Sequence, residues 1–105
     1  MGKDIIAAVR SRSVRSSASL VAANLRKADL SGANLGNAGM ARAYLREAKL
    51  AGADPTQADL TGANLGDADL TGANLTGAKM QDAKLDAAKF CKTAMPDGKA
   101  NDANC

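Results

Sequence analysis

At 105 residues the chain is long enough for one small domain, but it has no Trp, no His, one Tyr (Tyr44) and one Phe (Phe90), which excludes the usual centre of bulky aromatic and branched side chains. The net charge of +3 is unevenly placed: residues 1–17 carry Lys3, Arg10, Arg12 and Arg15 against Asp4 alone, and acids and bases balance from there on, so the body is neither a basic nor an acidic rod. No stretch approaches the ~18 apolar residues that a membrane-spanning helix needs, so a membrane association would be peripheral, not spanning.

Residues 1–17 form a basic arm. Its run AAVRSRSVRSSAS is rich in Arg and Ser, and Ile5, Ile6 and Val9 fall at helical spacing. It reads either as an amphipathic cap on the body of the chain or as the remnant of an organelle targeting sequence.

From Leu20 onward every fifth residue is large and apolar as far as Met95, with Pro55 as the exception. Ala lies two residues before each of them, and Thr93 is the first departure. A period of five fits neither the 3.6 of a helix nor the 2 of a plain strand. Each pentad is therefore a unit. Its Ala and Leu, two residues apart, point the same way in extended geometry. Between them and after them come Gly, Asn, Asp, Ser and Thr, which favour turns. A pentad cannot bury its apolar face alone, but stacked pentads can.

The clearest run, ADLTGANLGDADLTGANL at 58–75, resembles the pentapeptide repeat family, whose motif is A-(D/N)-L-x-x. The resemblance covers residues 18–92. It implies an all-β fold, a right-handed quadrilateral β-helix in which four pentads make one square coil and the repeats make about four coils. The expected organisation is an arm at 1–17, a solenoid at 18–95 and a C-terminal cap at 96–105.

In a square coil, residues twenty apart stack. One core column is then Leu25, Leu45, Leu65 and Leu85, and the next is Leu30, Leu50, Leu70 and Phe90. Before the second column stand Asp29, Lys49, Asp69 and Lys89, an alternating charge ladder that is either solvated or part of a contact. After it come Gly32, Gly52 and Gly72 with small neighbours, a smooth edge that suits close docking of a protein or simply serves the corners. Arg26, Lys27, Tyr44 and Arg46 form a second candidate interface, because Tyr and Arg are enriched at binding hot spots; the alternative is a solvated face. Pro55 cannot donate to a ladder and is expected at an edge or a small bulge.

The segment 91–105 reads CKTAMPDGKANDANC. Met95-Pro96-Asp97-Gly98 is a turn sequence, and Cys91 and Cys105 bracket a non-repetitive stretch. They read as one disulfide, which places the chain in an oxidising compartment, or as two free thiols. Phe90, Cys91, Thr93, Met95, Pro96, Asp97 and Gly98 also resemble the C-terminal end of pentapeptide repeat proteins from cyanobacteria and chloroplasts. That resemblance implies the thylakoid lumen.

The residues of catalysis are missing from the pattern. Without His there is no usual general base or common metal ligand, two Cys make no zinc site, and the glycines follow the five-residue rhythm without a phosphate loop. No cofactor, small-molecule substrate or nucleic acid is expected. The reading is a non-enzymatic structural or interaction protein whose partner is another protein, a photosynthetic membrane complex in the lumen case. The alternative comes from the same resemblance, since some family members mimic DNA and inhibit gyrase. That mechanism needs a strongly negative rod, and this body nets zero.

Overall fold

The computed structural model describes residues 19–105, so the basic arm at 1–17, with its reading as a cap or a targeting remnant, lies outside the described residues. From residue 19 the chain is a right-handed quadrilateral β-helix. Parallel bridges join residues twenty apart, from Ser19↔Gly39 through Tyr44↔Asn64 to Asn74↔Ala94.

The pentad works through one turn. The carbonyl of the Leu-position residue accepts the N–H of the Ala three residues on, from Leu20 and Ala23 (3.0 Å) to Leu85 and Ala88 (3.1 Å). The residue before that Ala has positive φ in every pentad, from Ala22 (56°) to Lys92 (54°). A positive φ at the third residue with this hydrogen bond marks a type II turn. Gly fills the position at Gly32, Gly52, Gly62, Gly72 and Gly77, and unbranched residues such as Arg42, Glu47 and Gln57 fill it elsewhere. Val, Ile and Thr never occur there; their branched Cβ makes left-handed backbone costly. Thr instead takes the preceding corner position, as at Thr61, Thr71 and Thr76.

Between corners, each side is three residues long: Ala inward, one residue outward, Leu inward. Backbone groups of these residues pair with the coils above and below. Leu25 N–H donates to the Tyr44 carbonyl (2.8 Å), Tyr44 N–H to the Ala23 carbonyl (2.9 Å) and Lys27 N–H to the Arg46 carbonyl (2.9 Å). The interior is a column of Leu lined by Ala. Leu25, Leu30, Leu45, Leu50, Leu65 and Leu70 are buried, as are Ala28, Ala43, Ala48, Ala63 and Ala68, while Ala23 in the first coil is partly buried. Leu85 and Phe90 belong to the last coil and are only partly buried, because no full coil lies beneath them.

Pro55 is neither at an edge nor in a bulge. Its ring is fully buried in a Leu slot, and the twenty-residue register runs through it, with Asn34↔Asp54 bridged above. The expectation fails because the position demands only one N–H from the residue. Asn74 N–H still donates to the Ala53 carbonyl (3.0 Å), and Gln57 N–H to the Thr76 carbonyl (2.9 Å). The missing donor removes the single rung between Asp54 and Asn74, and the ring supplies the apolar fill.

The cap begins inside the last coil. Hydrogen bonding to the coil above continues as far as Gly77 N–H to the Pro96 carbonyl (2.9 Å). Thr93, at an Ala position, is fully buried, and its hydroxyl donates to the Leu70 carbonyl (2.6 Å). After a turn closed by Gly98 N–H to the Met95 carbonyl (2.7 Å), the chain reverses. Strand β1 (Thr93–Ala94) pairs antiparallel with β2 (Ala100–Asn101).

Two substitutions probe the core. Leu65 is 0% exposed, so Leu65→Ala should lower unfolding free energy by about 2–5 kcal/mol in a denaturant titration. Pro55→Leu should act the other way. The restored rung contributes about 0.5–1.5 kcal/mol and one more buried methylene about 0.8 kcal/mol. Loss of proline's restriction of the unfolded chain offsets about 0.4–1 kcal/mol. A net gain near ~1 kcal/mol should raise the denaturant midpoint; a lower midpoint would show that the ring itself fits the slot better than Leu.

Candidate interaction surface

The four sides present four outward columns. The first is Asn24, Tyr44, Asn64 and Lys84, and the second Asp29, Lys49, Asp69 and Lys89. The third holds Asn34, Asp54, Asn74 and Ala94, and the fourth Ser19, Gly39, Asp59 and Lys79. Most Asp and Asn residues in these columns are bound to their own corner. Their Oδ1 accepts the backbone N–H two residues on: Asn34 from Gly36 (3.1 Å), Asn64 from Gly66 (3.0 Å), Asp69 from Thr71 (3.0 Å). Where Thr comes next, its hydroxyl donates too, at 2.6 Å in Asp59–Thr61, Asp69–Thr71 and Asn74–Thr76. These Asx turns tie the outward residue to the next corner.

The same contacts tune two carboxylates. The Thr71 hydroxyl, then the Thr71 N–H, hold Asp69 below the ordinary carboxylate range, with Lys89 and Lys49 adding to the effect and burial opposing it. Asp59 is lowered in the same way by Thr61, with Lys79 and Arg42 assisting. In the ladder of the second side the lysines thus act on Asp69 as a field, while the close contacts come from the corner.

Arg26, Lys27 and Arg46 lie on the corner between the first and second sides. Arg26 pairs with Glu47 (3.6 Å) and Arg46 with Asp67 (3.1 Å). Each pair runs diagonally from one coil to the next and stays well exposed, which limits its worth to about 0–1 kcal/mol. Gly66 leaves room for the second pair: a Cβ there would come within 3.1 Å of Arg46 Nη1 and 3.2 Å of Asn64 Oδ1. The guanidinium lies over the bare backbone. Tyr44 stands beside this corner, 56% exposed, with Asn24 and Arg26 forming a shallow open recess around it. Gly32, Gly52 and Gly72 occupy the opposite corner of the second side, all at positive φ; a Cβ on Gly72 would sit 3.7 Å from Gly52 N. The two patches singled out from sequence therefore flank one side, with Asp29, Lys49, Asp69 and Lys89 between them.

A feature that sequence reasoning missed is the third side. With both its corners it comprises residues 31–37, 51–57 and 71–77, and Asp54 is its one charged residue. Every Lys and Arg of the three upper coils lies elsewhere. The signal was present in SGANLGN, AGADPTQ and TGANLTG, read at a spacing of twenty.

Cys91 and Cys105 are joined by a disulfide with Cα atoms 4.8 Å apart. Asp102 lies close to both sulfurs, but thiols spent in a disulfide are not metal ligands. No helix among the described residues is long and apolar enough to cross a membrane.

A family model described as pentapeptide repeats matches in eight copies, over residues 18–54, 40–77 and 56–90. Among solved structures the chain is similar to a pentapeptide repeat protein from Nostoc Pcc 7120, with 40% identity and a TM-score of 0.75, over 84% of this chain and 71% of that one. It is also similar to HetL, a pentapeptide repeat protein of Nostoc involved in heterocyst differentiation regulation, with 35% identity and a TM-score of 0.58 over 82% of this chain and 42% of HetL. A third relative, from the cyanobacterium Cyanothece 51142, has 33% identity and a TM-score of 0.60 over 77% of this chain and 60% of that one. No curated protein matches the chain significantly.

The lowered carboxylates set a pH dependence. A folded pKa below the unfolded value of about 3.9 contributes stability that is present above about pH 4 and is lost as pH falls through the folded value. Thermal unfolding should therefore move to lower temperature in acid below about pH 4. Asp69→Asn, which keeps the Oδ1 acceptor, should flatten that acid slope; Asp69→Ala should also lower the melting temperature at about pH 7.

Proposed function

The chain belongs to the pentapeptide repeat family, and from that premise we propose that it is a non-enzymatic peg that docks on another protein through the Tyr44 corner. One observation carries the reading. Tyr44 is a large side chain held by a fully bonded backbone rung yet left more than half exposed, beside Arg26 and Arg46. Tyr and Arg are both enriched among hot spots, and here each arginine also stands within ion-pair distance of an acid one coil on, Arg26 of Glu47 and Arg46 of Asp67.

The compartment we propose is the thylakoid lumen, with the peg docked on a photosynthetic membrane complex. Two observations support it. The Cys91–Cys105 disulfide suits an oxidising compartment, and the tail around Met95-Pro96-Asp97-Gly98 resembles the C-terminal end of pentapeptide repeat proteins from cyanobacteria and chloroplasts, several of which are lumenal.

Thylakoids carrying the protein test both parts. It should resist added protease until the membranes are ruptured, and it should cross-link to one membrane complex. Tyr44→Ala with Arg46→Ala should weaken that association by at least about tenfold, while melting stays near wild type because neither side chain is in the core. Recovery in stroma or cytosol would refute the location; undiminished cross-linking by the double variant would refute the surface.

A further inference from the structure

The segment 91–105 is attached to the rod in two unlike ways. Residues 91–96 belong to the last coil. Gly72 N–H donates to the Cys91 carbonyl (2.8 Å), Leu75 N–H to the Ala94 carbonyl (2.7 Å), Ala94 N–H to the Ala73 carbonyl (3.0 Å) and Gly77 N–H to the Pro96 carbonyl (2.9 Å), and Thr93 is fully buried. Beyond the turn at Gly98, residues 99–105 lie along the lower edge of residues 90–95 and contribute no buried side chain; all are exposed except Asn101, which is half-buried. A few hydrogen bonds and one covalent link hold them there. Phe90 N–H donates to Asn104 Oδ1 (2.9 Å), Lys92 N–H to Asp102 Oδ1 (2.8 Å) and Met95 N–H to the Lys99 carbonyl (2.9 Å), while Asn104 N–H donates to the Phe90 carbonyl (2.7 Å). The link is the Cys91–Cys105 disulfide. Residues 80–88 show the same edge without a cover: the N–H groups of Met80, Asp82, Leu85 and Ala87 find no acceptor among the described residues.

We propose that the Cys91–Cys105 disulfide is a redox latch: a dithiol reductant opens it, residues 99–105 leave the edge, and the solenoid down to Pro96 stays folded. The chemistry is thiol–disulfide exchange. Cys105 is exposed and Cys91 half-buried, so the first thiolate of the reductant attacks Cys105 Sγ. The S–S bond breaks, Cys91 leaves as a thiolate and takes up a proton, and Cys105 is held in a mixed disulfide with the reductant. The second thiolate of the reductant attacks the reductant's own sulfur in that bond and releases Cys105 as a thiolate, which is protonated in turn. The reductant loses two electrons and two protons and becomes a disulfide, and the cysteine pair gains them. What then holds the segment is a two-residue strand pair without a buried side chain, and such a hairpin is marginal in water. Closing a loop of this size, with a sequence separation of 14, is worth roughly a hundredfold in the ratio of closed to open segment, and reduction removes that factor. Asp102 restrains the latch. Its Oδ1 lies 3.6 Å from Cys105 Sγ, and a carboxylate oxygen stands within 4.8 Å of both sulfurs, so its charge repels an arriving thiolate. The latch changes the end of the rod and leaves its sides, the Tyr44 corner included, as they are.

Amide hydrogen exchange on the full chain, oxidised and after treatment with reduced thioredoxin, tests the latch. In the reduced protein the amides of Phe90, Lys92, Met95 and Asn104 should exchange at least about tenfold faster and approach those of Met80 and Leu85. The amides of Leu75, Gly77 and Ala94, which bond within the stack, should keep their protection. Cys91→Ser with Cys105→Ser should show the reduced pattern without reductant and no response to it. Asp102→Asn keeps an Oδ1 acceptor for the Lys92 N–H and should speed reduction by roughly two- to fivefold; an unchanged rate would overturn the part given to Asp102. Protection at Phe90, Lys92 and Met95 that survives reduction would overturn the latch, because the hydrogen bonds alone would then hold the segment. So would loss of protection throughout the solenoid, which would make the disulfide a staple of the whole fold, and so would a disulfide that thioredoxin reduces only in denaturant.

Discussion

A square coil closes only if each pentad turns the chain by the same amount, and that turn hangs on one residue held at positive φ. The hydrogen bond from the Ala N–H to the Leu-position carbonyl fixes the corner, and the corner fixes the twenty-residue repeat of the bridges. Once the coils are in register, the N–H and C=O groups of each side meet partners above and below. Leu and Ala then enter a dry interior in which no described buried side-chain N or O lacks a partner. The Asx turns reinforce the same joint from outside: the outward Asp or Asn holds the N–H of the corner residue, and Thr adds its hydroxyl. Local turn chemistry and the global stack thus favour one conformation, which is the consistency that makes a sequence specify a fold.

Much of this was legible because the repeat is strict. Spacing by five places Leu and Ala inward without knowledge of the coil, and spacing by twenty places the columns. Pro55 shows where the pattern misleads. A proline in a strand suggests an edge, yet here the slot needs apolar volume and a restricted backbone, and it gives up one rung only. The Asp-Leu-Thr unit reads as turn-forming residues, but its actual geometry, a carboxylate holding two donors of one Thr, requires knowing that the corner comes directly after the Leu. The charge-poor third side was hidden because its residues are scattered in the chain and gather only in the stack. The half-covered end was hidden for another reason. Residues 91–105 announce a cap, but how far it reaches depends on where the chain reverses after Gly98.

The architecture separates what holds the molecule together from what it shows to others. Stability resides in the rungs and in the Leu column, and neither depends on which side chain points outward. Tyr44, Lys49, Lys84 and Lys89 occupy positions where Asn or Asp would cap a corner, and the bridges at all four are intact. Such positions are free to carry recognition at little cost to the fold. In the second column these lysines alternate with Asp29 and Asp69, and acids and bases balance over the body, so the field of one charge is offset by the others beyond a Debye length of about 8 Å. A partner is then not steered from afar, as it would be by a rod of one sign. Recognition has to come at contact, from shape and from the few side chains that rise above a flat side. On the first side the large side chain left more than half exposed is Tyr44, and the surface that offers unpaired backbone instead of side chains is the end at residues 80–88.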